Sequence, residues 1–305
     1  MSVADSDSSN GARELVAVDM HVHLRDAKAQ EFRADSILSL ARFFGTANEV
    51  VSADELADIY RSRNMMAVLL NTTDAFATGR PSLPNDHVAE IVRAYPDVFI
   101  GFGVIDPMQG KLAEREALRC KEELGLAGIG ELNPGRQLFA PNDPGLTGLW
   151  RTLEELDLIV LFHGGYAGAG SGTAGGMGVK LSYNRPILLD DVAADCPNLR
   201  IICAHPSWPW QSEALAVAQH KLNVFLDLSG VAPKYFNDEL RQYIGKRISE
   251  KVLFGTDWPL LSVDRWVSEF KDCGFSPKVN ERVFLENALR VLGDSVAGPG
   301  KAKER

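Results

Sequence analysis

Positive charge is in short supply in this chain: 32 Lys and Arg face 41 Asp and Glu, a net charge of −9. A nucleic-acid surface needs a basic patch, so DNA and RNA are not expected as partners. No apolar run approaches the roughly 18 residues that a membrane-spanning helix requires. Cysteine is sparse as well. Cys120, Cys196, Cys203 and Cys273 are widely spaced and form no Cys-x-x-Cys, which argues against a disulfide frame and a zinc ribbon. No strand-like run leads into a Gly-x-Gly-x-x-Gly turn or a P-loop, so an open doubly wound sheet built around a nucleotide is the weaker architecture. Residues 1–13 are rich in Ser and Asp and lack an apolar stretch. They read as a disordered leader rather than a secretion signal, and a cytoplasmic protein is expected.

What is present is a regular alternation. Eight short apolar runs (Leu15–His21, Met65–Asn71, Val98–Ile105, Gly128–Leu132, Leu158–His163, Leu199–His205, Val224–Leu228 and Val252–Asp257) alternate with amphipathic, helix-like stretches, among them Asn85–Ala94, Leu188–Asp195 and Ser212–His220, with a last one at Pro277–Leu292. Strands that are hydrophobic nearly throughout need cover on both faces, which parallel strands joined by helices provide. Eight such pairs in 305 residues predict a single (β/α)8 TIM barrel over residues 14–293, followed by a polar tail at 294–305. Two connections are long. The one after the first strand holds a helix-like segment, Ala34–Phe44, and residues 164–185 after the fifth strand are rich in glycine. Loops of that length in a compact enzyme are expected to cover or bind a ligand.

The polar residues that interrupt this pattern share one address. His21 and His23 end the first strand, His163 the fifth, His205 the sixth and Asp257 the eighth. The carboxyl edge of the strands is where a barrel builds its active site. Alternation along a strand sends His21 and His23 to the same side, and two neighbouring imidazoles are good ligands for a borderline divalent cation. The plain alternative is a histidine pair that merely caps a strand. His87 and His220 fall in helix-like stretches and read as structural.

Asp19-x-His21-x-His23, a histidine after the fifth strand, Ala204-His205-Pro206 and Phe254-Gly255-Thr256-Asp257-Trp258-Pro259 together resemble the amidohydrolase superfamily. The last motif is most similar to its amidohydrolase-2 branch, which includes aminocarboxymuconate-semialdehyde decarboxylase and related aromatic-acid decarboxylases. The resemblance implies one divalent metal, zinc before manganese or cobalt, held by His21, His23, His163 and Asp257. It also implies catalytic roles for Asp257 and His205. The lysine that bridges two metals in other branches is absent from the fourth strand edge, Gly130-Glu131-Leu132. Glu131 is therefore a candidate substrate contact or an extra ligand.

Substrate-binding candidates are Arg25, Glu131, Arg136, Arg185, Trp208 and Trp258. Arginines suit a carboxylate, and indoles suit a flat, partly apolar molecule. The first expectation is a metal-dependent hydrolase that cleaves a C–C, ester or amide bond of a small carbonyl or carboxylate compound through an activated water. The alternatives are a non-oxidative decarboxylase of an aromatic or muconate-type acid, and a silent barrel that binds a metabolite. Relatives of this kind are often homodimers.

Overall fold

A computed structural model describes residues 14–45 and 49–296. The expected leader lies outside these residues, as does the tail from 297 onward. Eight parallel strands form one sheet in sequence order: β1 (Ala17–His23), β2 (Met65–Leu70), β3 (Phe99–Gly103), β4 (Gly128–Leu132), β5 (Ile159–His163), β6 (Ile201–Ala204), β7 (Val224–Asp227) and β8 (Val252–Leu253). The backbone N–H of Met20 donates to the Phe254 carbonyl at 2.9 Å, and that of His23 to the Trp258 carbonyl at 3.0 Å, drawing the last segment against β1. The molecule is a single-domain TIM barrel.

Helix stretches legible in the sequence recur with small shifts. Asn85–Ala94 and Leu188–Asp195 match the expected limits, and Ser212–His220 begins one residue early, at Gln211. The last expected helix, Pro277–Leu292, is broken by a π-helical turn at Arg282–Glu286. β8 is shorter than expected. The chain turns off the sheet after Leu253, and Asp257 takes a left-handed backbone (φ 58°).

Alternation sorts the strand residues into two cores. Val18, Met20, Val68, Phe102, Leu161, Ile202 and Leu253 fill the barrel interior, and Ala288, Val291 and Leu292 of the last helix join the same cluster. Leu69, Ile129, Phe162, Leu226 and Val252 face outward against the helical ring. Large aliphatic side chains each contribute about 1.5–3 kcal/mol on full burial, so both layers are needed to hold the ring.

The register slips between Asp19 and Val22 in β1, and again between Ile129 and Leu132 in β4. Strict alternation would send His21 away from the side of Met20. The slip places Val22 in the outer cluster and leaves His21 and His23 facing the mouth. A β-bulge of this kind re-aims side chains beside a site.

The excursion after β1 forms α1 (Ala27–Phe44), longer than the helix expected there. It starts at Asp26, whose carboxylate caps the Ala29 N–H at 2.8 Å and also meets His87 Nε2 at 2.6 Å. His87 is thus structural, and it ties the insertion to the helix that follows β2. Among the described residues no helix is long and apolar enough to cross a membrane.

Candidate metal centre and active site

His21, His23, Glu131, His163, His205 and Asp257 meet at the carboxyl mouth of the barrel. His21 Nε2 lies 3.2 Å from His23 Nε2, 3.7 Å from Asp257 Oδ1 and 3.9 Å from Glu131 Oε2. His23 Nε2 lies 3.3 Å from Asp257 Oδ1 and 3.5 Å from Glu131 Oε2. Donor pairs spaced in this way suit a shell with bonds of about 2.0–2.2 Å, and His21, His23 and Glu131 form one group close enough to hold an ion. The other oxygen of Glu131 faces the remaining histidines. Oε1 is 2.6 Å from His163 Nδ1 and 3.4 Å from His205 Nε2.

The protonation pattern follows from the outer partners. His21 Nδ1 sits 2.7 Å from the buried Asp227 carboxylate, which fixes the proton there and turns the Nε2 lone pair inward. Asp227 is itself held by the N–H and hydroxyl of Ser229 at 2.9 and 2.8 Å. His205 Nδ1 meets the Ser229 carbonyl at 3.1 Å, and His163 Nε2 meets the Tyr166 carbonyl at 3.1 Å. Each bond to a carbonyl places a proton on the outer nitrogen, while the inner nitrogens, His163 Nδ1 and His205 Nε2, face Glu131 Oε1 and donate to it when protonated.

The electrostatics point the same way. Burial would raise the Asp257 pKa, but His23, His21 and His205 outweigh it and hold the carboxyl at about 2. Glu131 is likewise pushed well below its ordinary value, burial being overcome by His163, His205 and His21. Burial disfavours charge on His21, yet Asp227, Asp257 and Glu131 raise its pKa to about 10. Burial lowers His23. Two ionised carboxylates in this buried cluster call for positive charge beside them, which a proton on His21 supplies in the empty site and a divalent cation, which these donor types fit, supplies in its place.

Several further residues position the site. Asp19 is fully buried. It accepts from Thr256 Oγ1 at 2.6 Å, Thr256 N at 3.0 Å, Tyr60 Oη at 2.8 Å and His21 N at 3.1 Å, joining the Asp257 turn to β1. Burial lifts its pKa to about 6 against those bonds. Asp227 ends an apolar run in the same way as Asp257, and that was the available sign. Gly230 has φ +74°, and a Cβ there would lie 2.7 Å from His205 Nδ1 and 3.3 Å from Asp257 Oδ2. Gly230→Ala therefore displaces His205 and is expected to lower kcat at least about tenfold while shifting the melting midpoint by only a few degrees, both read on the same preparation. Asp227→Asn is expected to weaken metal binding about 10–100-fold, measured by competition with a chromogenic chelator.

The substrate candidates divide. Arg25, Glu131, Arg136, Trp208 and Trp258 line one cavity of about 600 Å³ with the metal donors. Among the described residues the buried Arg25 Nε has no hydrogen-bond partner, and the nearby Asp257 charge acts on the guanidinium. Arg136 is bonded to Asp74 at 2.6 Å. Glu131 belongs among the central donors rather than on the substrate wall. Arg185 does not reach the cavity: its Nε lies 3.1 Å from Glu213, outside the mouth, because the chain after it turns into the helix Leu188–Asp195. His163, expected beside His21 and His23, forms with Glu131 and His205 a neighbouring group of donors close enough to share a metal ion.

The family model described as Amidohydrolase matches residues 18–293. This chain belongs to the amidohydrolase family. Within its amidohydrolase-2 branch, the amidohydrolase is 27% identical over 251 residues to 2-amino-3-carboxymuconate-6-semialdehyde decarboxylase of Dictyostelium discoideum. That match covers 68% of this chain and 65% of the relative. In fold, the amidohydrolase is similar to an uncharacterized TIM-barrel protein of Bordetella bronchiseptica (TM-score 0.74, 22% identity, 92% of this chain and 99% of that one). It is also similar in fold to a dihydroxybenzoic acid decarboxylase from Polaromonas with bound manganese and the inhibitor 2-nitroresorcinol (TM-score 0.64, 18% identity, 93% and 98%).

Proposed function

We propose that this amidohydrolase is a divalent-metal-dependent, non-oxidative decarboxylase of an aromatic or muconate-type acid. The observation that carries the reading is the pairing, in one cavity, of four converging donors with an arginine whose Nε has no hydrogen-bond partner among the described residues. The relatives named as decarboxylases support this reaction over the hydrolysis expected first. His21, His23, Asp257 and Glu131 would hold the metal. When bound, such a cation supplies a localised positive charge that orients the acid and polarises the bond system to be cleaved. Manganese in the Polaromonas enzyme widens the choice beyond zinc, since imidazole and carboxylate ligands accept several divalent ions.

The rest falls to this chain's own groups. Arg25 receives a carboxylate or phenolate oxygen of the substrate. His205, steadied at Nδ1 by Ser229, delivers a proton from Nε2 to the carbon that bears the leaving carboxylate. The C–C bond then breaks, its electron pair returns to the substrate, and CO2 departs. Glu131 and His163 share a short contact beside His205 through which the proton can be restored. Trp258 and Trp208 flank the substrate with apolar surface.

The test is CO2 release by metal-loaded protein from a panel of hydroxybenzoates and aminomuconate-like acids. One CO2 per acid consumed is expected. Hydrolysis of an ester or lactone panel without CO2 would make the protein a hydrolase. No turnover of either panel by metal-loaded protein would support a binding barrel.

A further inference from the structure

We infer that the substrate carries a second aromatic ring, held apart from the reacting one in an apolar compartment built by the two insertions. This rests on the decarboxylase reading of the site. The cavity of about 600 Å³ is in the range that encloses a drug-sized ligand, and one ring with its carboxylate fills only a part of it. Its two ends differ in chemistry. The inner end holds the metal donors and Arg25. The outer end is walled by Ile37, Leu40 and Phe43 of α1, by Tyr166 of the glycine-rich segment, and by Trp208.

The aromatic side chains at that end form a row. Phe43 and Tyr166 have ring centroids 5.9 Å apart, and Tyr166 and Trp208 5.6 Å apart at an interplanar angle of 64°. Tyr166 is fixed by a 2.5 Å bond from its hydroxyl to Ser171 Oγ. Phe43 is 44% exposed and Trp208 67% exposed, so the row leaves aromatic surface open at the mouth of a cavity whose floor is charged. Edge and offset contacts of this kind accept one more flat ring, and an apolar partner there removes surface that water solvates poorly. A ligand with an acid head and an aryl arm satisfies both ends at once, whereas a single-ring acid leaves the outer end wet. The compartment belongs to this chain's insertions: Ile37, Leu40 and Phe43 sit on α1, an addition to the eight βα units.

The test uses unreactive head-group analogues, so that binding is read without turnover. A nitrophenol and its phenyl-extended biaryl counterpart are titrated calorimetrically into the full-length, metal-loaded protein. The biaryl is expected to bind about 30-fold more tightly, the effect of burying one further ring. Leu40→Trp, which fills the compartment, should abolish that ratio. Trp208→Ala, at a position exposed enough to leave folding undisturbed, should reduce it severalfold. Equal affinity for the two analogues, or a ratio unchanged in both variants, overturns the inference. Failure of both analogues to bind overturns it too. A ratio that behaves as expected while no single-ring or biaryl acid releases CO2 keeps the compartment and removes the decarboxylase reading. CO2 release with no biaryl advantage does the reverse.

Discussion

Glu131→Gln is expected to purify with little bound metal and to lose turnover by about 10²–10³-fold, whatever divalent ion is added back. The substitution keeps the shape of the side chain and removes its charge. Glu131 is buried, and its two oxygens face different groups, His21 and His23 on one side, His163 and His205 on the other. Taking one partner out of a buried charge cluster costs about 3–5 kcal/mol, and each 1.4 kcal/mol is a factor of about 10. If the loss lay only in substrate contact, the first of the two roles open to Glu131 from sequence, metal content would stay at one equivalent and KM alone would rise. Inductively coupled plasma analysis alongside steady-state kinetics separates the two.

His205→Asn is the second large effect, with the opposite signature. Metal content is expected to remain near one equivalent while kcat falls by about 10²–10⁴-fold, the usual worth of a positioned general acid. Asparagine cannot donate a mobile proton at that point, yet its volume preserves the packing of Gly230 and Ser229 against the position. His205 Nε2 faces His163 and Glu131 Oε1, whereas the closest ring of donors is formed by His21, His23, Asp257 and Glu131 Oε2. Affinity for an unreactive nitrophenol should change little. Loss of the metal in this variant would instead place His205 among the ligands.

Barrel, branch and most of the site were legible because they rest on short-range signals. Apolar runs mark the strands, and histidines or an aspartate at their ends mark the mouth. The less legible parts depend on relations that no local pattern carries. Glu131 reads as the polar end of a short strand; only the slip between Ile129 and Leu132 aims it at the centre. With Glu131 there, His163 and His205 both face its second oxygen. Asp227 is 206 residues from His21, and its role exists only once the ring closes and brings β7 within one strand of β1. α1 began earlier than read because Asp26 supplies both its cap and an anchor for His87. Arg185 failed for a related reason: its place after the glycine-rich segment says nothing about Glu213 waiting on a neighbouring helix.

The most direct test of the metal assignment is an anomalous-difference map of crystals of the metal-loaded protein, collected at the absorption edge of the ion found in it. The account predicts one strong peak within bonding distance of His21 Nε2, His23 Nε2, Asp257 Oδ1 and Glu131 Oε2. A peak bonded to His163 with Glu131 turned away, or no peak in a protein that still turns over its substrate, would contradict it.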